Sequence, residues 1–218
     1  MATDLIDWFT YTASLLQGSA RWMGWNLFLA LIPLGLSGWL FWQNSRGRPA
    51  WLWWLGMAAF VGFLPNAPYV LTDVIHLVRA IQRDHSIWVV TLVLIPQYLL
   101  FMLLGFASYG LSLLSVERWL RRRGQRQAIA WATLLLHGLS AIGIYLGRFD
   151  RFNSWDLLTR PGNVLATLLQ NLTTGRSLVI ILISTLVIGV LYEVMKQITL
   201  GLVCRMRLRR ERGEGVMG

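Results

Sequence analysis

Val116-Glu117-Arg118-Trp119-Leu120-Arg121-Arg122-Arg123-Gly124-Gln125-Arg126 is the stretch on which the fold turns. Five arginines in one short loop separate two runs rich in Leu, Ile and Val, Ile87 to Ser115 before it and Ala128 to Leu146 after it. A helix crossing the hydrocarbon layer needs about 20 mostly apolar residues, and each run approaches or exceeds that. Arginines packed between two such runs mark a loop held on the cytoplasmic face, the face on which membrane proteins concentrate Lys and Arg.

Working outward, the same pattern recurs. Further spans are expected over Gly24 to Gln43, about Pro49 to Leu64, and Ser177 to Val203. The second is short and ends in Pro65-Asn66-Ala67-Pro68. Pro33 and Pro96 fall inside the first and third spans, where neighbouring helices can satisfy the freed backbone groups, so they read as kinks. Residues 5–17 are too short to cross and read as an amphipathic helix in the interface, with Trp8 and Tyr11 at headgroup depth. The expected fold is therefore all-α. It is a polytopic integral membrane helix bundle of about five transmembrane helices, with an interfacial N-terminal helix and an outer half-helix over 68–83. The chain divides into an N-terminal interfacial segment (1–23), a transmembrane domain (24–204) and a basic cytoplasmic tail (205–218).

Composition agrees. The 218 residues are 56% hydrophobic and 14% charged, where a soluble domain carries about 25% charged residues. The formal net charge of +10 argues for lipid headgroups rather than nucleic acid, because the basic residues gather at the ends of apolar runs. With the 1/2 loop, the 3/4 loop and the tail on one side, that side holds 13 Lys and Arg against 7 on the other. The rule then places the N-terminus outside and the C-terminus in the cytoplasm. Cys204 is the only cysteine, so no intrachain disulfide and no cysteine metal cluster can form. Residues 1–23 lack a basic start and contain Asp4, Asp7 and Arg21, unlike a cleavable signal.

Two polar segments then fall on the outer face. After Leu64, a helix starting at Asn66 with Pro68 in its first turn places Thr72, Asp73, His76, Arg79 and Arg83 on one stripe. Gly147-Arg148-Phe149-Asp150-Arg151-Phe152-Asn153-Ser154-Trp155-Asp156 supplies two arginines with fork geometry suited to carboxylate or phosphate. Asn153 or Ser154 is placed to cap a short helix over 155–159, ended by Pro161 and Gly162. The candidate pocket comprises Asn66, Tyr69, Asp73, His76, Arg148, Asn153 and Asp156, and its expected ligand is an anionic or lipid-linked small molecule. An internal ion pair between Asp73 and Arg148 or Arg151, without any ligand, explains the same residues. Asp73 and His76 offer two metal ligands where zinc wants at least three, so neither a metal nor a cofactor is expected.

The stretch Phe63-Leu64-Pro65-Asn66-Ala67-Pro68-Tyr69-Val70-Leu71-Thr72-Asp73, taken with Gly147-Arg148-Phe149, Arg151 and Asn153-Ser154-Trp155-Asp156, resembles the DUF1361 family. The resemblance covers roughly residues 24 to 200. It implies a multi-spanning protein of a bacterial cytoplasmic membrane and supplies no biochemical role and no catalytic residues.

Three functions fit these residues. The leading one is a non-enzymatic membrane protein with an outward polar pocket. The second is a membrane enzyme acting on a lipid or polyprenyl substrate, with Asp73 and His76 as an acid/base pair. The third is a scaffold whose Trp-rich spans pack against protein partners that the sequence does not identify. Elsewhere, His137 with Thr133 and Ser140 on one face reads as an interhelical hydrogen-bond site. Glu193, Lys196 and Gln197 read as a local ion pair. Gly105, Gly110, Gly138 and Gly143 read as close-packing positions, and no Walker, HExxH or GxSxG sequence is present.

Overall fold

A computed structural model describes residues 2–42, 49–83, 86–152, 156–172 and 175–214. Helix α1 (Ala2–Ser37) runs on into a π turn at Gly38–Trp42, and α2 (Ala50–Phe63) leads into α3 (Asn66–Tyr69). A 3-10 turn at Val70–Asp73 joins α3 to α4 (Val74–Ile81). Next come α5 (Ile87–Val89), a π turn at Val90–Leu94 and α6 (Ile95–Arg122). The chain finishes with α7 (Arg126–Arg148), α8 (Asp156–Thr159), α9 (Pro161–Leu172) and α10 (Gly175–Glu214). The described residues contain no strand.

Five helical stretches are long and apolar enough to cross a membrane: Thr10–Trp42, Ala50–Ile81, Ile87–Arg122, Arg126–Arg148 and Gly175–Met206. Their outer surfaces confirm the solvent. Leu103, Leu182, Leu186 and Trp131 are each about two-thirds exposed or more, a surface that water would not tolerate over such an area. The protein is an all-α polytopic membrane bundle.

Without a hydrophobic drive between helices in lipid, association rests on close packing and interhelical hydrogen bonds. Helix α6 is the hub, touching α1 on one flank, α7 and α10 on the other, and α3 with its 3-10 turn above them. Small residues allow the approaches. A Cβ at Gly105 would lie 2.9 Å from the Val70 side chain, and one at Gly143 would lie 2.6 Å from the Pro65 ring. At Gly110 the Met195 side chain occupies the same kind of space. Gly138 differs from expectation, because nothing lies within 4 Å of its missing Cβ. Ser108 Oγ donates to Ala30 O at 2.5 Å, tying α6 to α1.

At the arginine-rich end, aromatic residues hold the helix ends together. Phe41 meets Phe60 and Trp119 edge-on, and Trp53 stacks on Trp119. The guanidinium of Arg123 sits 4.2 Å over the Trp119 ring and that of Arg118 5.8 Å over Trp42, contacts each worth about 0.5–1 kcal/mol when exposed.

Two departures from the sequence reading have clear causes. The N-terminal segment is helical, but it is continuous with the first span rather than a separate element. Its hydroxyls bond back to the helix: Thr12 to Trp8 O at 2.7 Å, Ser14 to Tyr11 O at 2.7 Å and Ser19 to Leu15 O at 3.1 Å. Hydroxyls bonded in this way sit within the uninterrupted helix. At Pro65-Asn66 the chain does not end one helix and cap another. Leu64 and Pro65 keep right-handed helical angles, and Asn66 makes no cap; its Nδ2 donates backward to Phe63 O at 2.9 Å. Ala67 and Tyr69 N–H groups bond Leu64 and Pro65 carbonyls, so the chain stays helical through the motif instead of starting a new helix at Asn66.

Buried polar groups support the bundle elsewhere. His137 Nδ1 and Tyr109 OH lie 2.7 Å apart, the interhelical hydrogen bond expected of that histidine. Glu117, 3% exposed, accepts from Tyr192 OH and from Lys196 Nζ, both at 2.7 Å. Lys196 therefore ties α10 to α6, and its expected local partner Glu193 is the more distant at 3.5 Å.

Candidate functional site

The stripe on the 3-10 turn and α4 follows from the sequence period. Val74, Ile75, Val78 and Ile81 are 41–47% exposed and face outward. Asp73 is buried and His76 half-buried at the cavities between helices, while Arg79 and Arg83 line the second of these from exposed positions. Asp73 is 1% exposed. Its Oδ1 accepts from Arg148 Nη2 at 2.8 Å, and its Oδ2 accepts from Asn26 Nδ2 at 3.2 Å. His76 Nε2 lies 3.8 Å from Oδ1, beyond hydrogen-bond reach.

Arg148 ends α7 and reaches across to α3 and the turn. Its Nε and Nη2 both donate to Thr72 Oγ1, the former at 3.1 Å. Thr72 in turn donates to Tyr69 O at 2.6 Å. The guanidinium lies 4.6 Å over the Tyr69 ring. One side chain thus meets a buried carboxylate, a hydroxyl and an aromatic face, a combination that suits arginine and not lysine. Gly147 permits the approach, since a Cβ there would stand 3.2 Å from the Tyr69 ring.

Beyond α7 the chain turns sharply. Arg151 takes φ 59°, the left-handed region, which costs a non-glycine residue about 1–3 kcal/mol. The turn is held by Phe152 N–H to Leu146 O at 3.1 Å, and by Asn171 Nδ2 donating to Asp150 Oδ2 at 2.7 Å. These bonds place Arg151 at the cavity wall and draw Asp150 away from it.

The cavity holds about 390 Å³, within the usual range for small-molecule sites. Helix α1 contributes Trp25, Asn26 and Leu29, α3 contributes Asn66 and Tyr69, and α7 contributes Gly143, Leu146 and Gly147; Val164 of α9 also lines it. Asn66, Tyr69, Asp73, His76 and Arg148, five of the seven expected residues, line it together. Asp156 opens α8 and is not part of the lining. Asn153 lies outside the described residues, as do Ser154 and Trp155.

Sequence reasoning missed Asn26 and the part played by Arg151 at the wall. Asn26 carried a signal, as the sole amide between Trp22 and Trp42. The charge pattern is simple. Among the described lining residues Asp73 is the one carboxylate and already has two donors, Arg148 is committed to it, and Arg151 has no acidic partner among the described residues. His76 packs its ring 5.1 Å from that of Trp22.

Comparison with curated proteins finds no match, and none is found among solved structures. A family model described as "Protein of unknown function (DUF1361)" matches residues 25–190, a range containing both polar motifs. With most of its length covered by that match, the chain belongs to the DUF1361 family.

Proposed function

We propose that this membrane protein binds an anionic, lipid-linked ligand in the cavity walled by α1, α3 and α7. The observation that carries the reading is the cavity's charge: Arg151 faces it without an acidic partner among the described residues, while the one carboxylate is already bonded by Arg148 and Asn26. Trp25 at 51% exposure and Phe28 at 55% flank the site on the lipid-facing side of α1. An acyl or polyprenyl chain would lie there while its charged head meets the arginines. The positive-inside imbalance supports an outward-facing cavity, with the N-terminus outside and the C-terminus in the cytoplasm.

The test is ligand retention. Protein purified in mild detergent is extracted and its bound small molecules are counted by mass spectrometry, for wild type, Arg151→Gln and Arg148→Gln. Wild type is expected to carry a co-purified anionic species that both folded variants lose. Equal retention in folded variants removes the reading.

An enzymatic reading has one observation in its favour, the placement of His76 beside Asp73 on the cavity wall. The 3.8 Å separation and the commitment of Asp73 to Arg148 weigh against an acid/base pair. Turnover of a lipid-linked substrate that His76→Gln abolishes in folded protein would establish it over simple binding.

A further inference from the structure

A second cavity, of about 360 Å³, lies between α1, α4 and α6 and touches the first only at His76. Its walls include Ser14, Ser19 and Trp22 of α1, Tyr98 of α6, and Arg79 and Arg83 at the end of α4. No carboxylate is among its described lining residues. We propose that this cleft is a separate anion site that takes a phosphate group, with Arg79 and Arg83 as its ligands.

Two observations carry the inference. Arg79 lies in the last turn of α4 and Arg83 just beyond the helix end, and both line the cleft. Among the described residues neither has an acidic partner, and Asp73, the buried carboxylate nearest in the chain, is held by Arg148 and Asn26. Two exposed guanidinium forks at the edge of one cleft, with no carboxylate among its described lining residues, offer a phosphate bidentate partners.

The hydroxyls do not compete for the role of donor. Ser14 donates to Tyr11 O, and Ser19 donates to its own helix while accepting from Gln97 Nε2 at 2.7 Å. Trp22 and Tyr98, whose rings lie 6.0 Å apart, form the apolar side. A glycerol backbone or the start of an acyl chain fits against such a wall. The phosphate belongs either to a phospholipid headgroup or to free inorganic phosphate, and the cations are the same for both. The proposal does not depend on the reading of the first cavity, because it uses different cations and different variants.

The full-length protein in nanodiscs containing phosphatidylglycerol and phosphatidylcholine is released into native mass spectrometry. A parallel sample in detergent is titrated with inorganic phosphate. Wild type is expected to retain phosphatidylglycerol at least ten-fold over phosphatidylcholine, and Arg79→Gln/Arg83→Gln is expected to lose that preference. Arg21→Gln, a change to an exposed arginine outside the cleft, keeps it. If preference is absent in nanodiscs but phosphate binds in detergent and needs Arg79 and Arg83, the site stands with free phosphate as its ligand. Should the double glutamine variant fail to fold, Arg79→Lys/Arg83→Lys is expected to weaken retention several-fold through loss of the forks. Unchanged binding in the folded double variant, or an equal loss in Arg21→Gln, overturns the proposal.

Discussion

The Asp73–Arg148 pair gives the sharpest test of how this end of the bundle is held. Truncating Arg148 leaves a 1% exposed carboxylate with Asn26 as its remaining close donor. Breaking a fully buried pair costs about 3–5 kcal/mol. Arg148 keeps 23% of its side chain exposed, so the expected loss falls to about 2–3 kcal/mol, or roughly 30- to 150-fold in the unfolding equilibrium. A double-mutant cycle with Arg148→Gln, Asp73→Asn and the combined variant isolates the pair. Asp73→Asn alone strands a guanidinium that still bonds Thr72 and covers Tyr69, and is expected to cost about half as much as Arg148→Gln. The combined variant is expected to be more stable than the sum of the singles by about 1.5–2.5 kcal/mol. The assay is equilibrium unfolding in bicelles, followed by tryptophan fluorescence. Additivity within about 0.5 kcal/mol would show that the contact in the structure is not an energetic pair.

Other expectations are quickly stated. Gly143→Ala drives a methyl into the Pro65 ring and is expected to destabilise by about 1–3 kcal/mol, whereas Gly138→Ala, which meets nothing within 4 Å, stays neutral or gains slightly; thermal melts of the two compared directly decide this. Tyr109→Phe removes the bond to His137 and is expected to cost about 0.6 kcal/mol, near the average for hydrogen bonds between membrane helices, and a loss above about 2 kcal/mol would mean a larger network than the structure shows. Lys196→Met leaves Glu117 buried with Tyr192 and the more distant Arg121, so it is expected to melt well below wild type, with Glu117→Gln/Lys196→Met recovering most of the loss. Cys204, the single and exposed thiol, is expected to react with a membrane-impermeant maleimide only after cells are permeabilised, while a cysteine placed at Gln82 in a Cys204→Ser background reacts in intact cells. The opposite labelling pattern would invert the proposed topology.

The number and order of the spans were legible because the bilayer imposes its own length on the chain, and apolar runs of that length are conspicuous. Span ends were less so. Ala2–Ser37 reads as two elements because Asp4, Asp7 and Arg21 interrupt its hydropathy, yet one helix runs through all three. Pro65 reads as a stop for the same kind of reason, since a proline's effect depends on what packs beside it. Here Gly143 and α1 hold the chain in helical angles through the kink. The polar stripe from Thr72 to Arg83 was visible in its spacing alone. Which arginine would meet Asp73 was not, because Arg148 and Arg151 are near neighbours in sequence and the left-handed turn at Arg151 separates their directions. Glu117 looked like one more charge of a basic loop, and only the register of α10 against α6 sets Tyr192 and Lys196 opposite it.

The latch between Asp73 and Arg148 joins residues 75 positions apart in the chain. Ribosomes add about 5–20 residues per second, so the carboxylate is made about 4–15 s before its cation emerges. During that interval the nascent chain carries an acidic group among half-assembled helices, with Asn26 as its hydrogen-bond donor and without its arginine. Insertion of this protein therefore passes through a stage that is chemically incomplete until α7 arrives. Quality control that reads unpaired charge within the bilayer has that window in which to tell a stalled chain from a finished one.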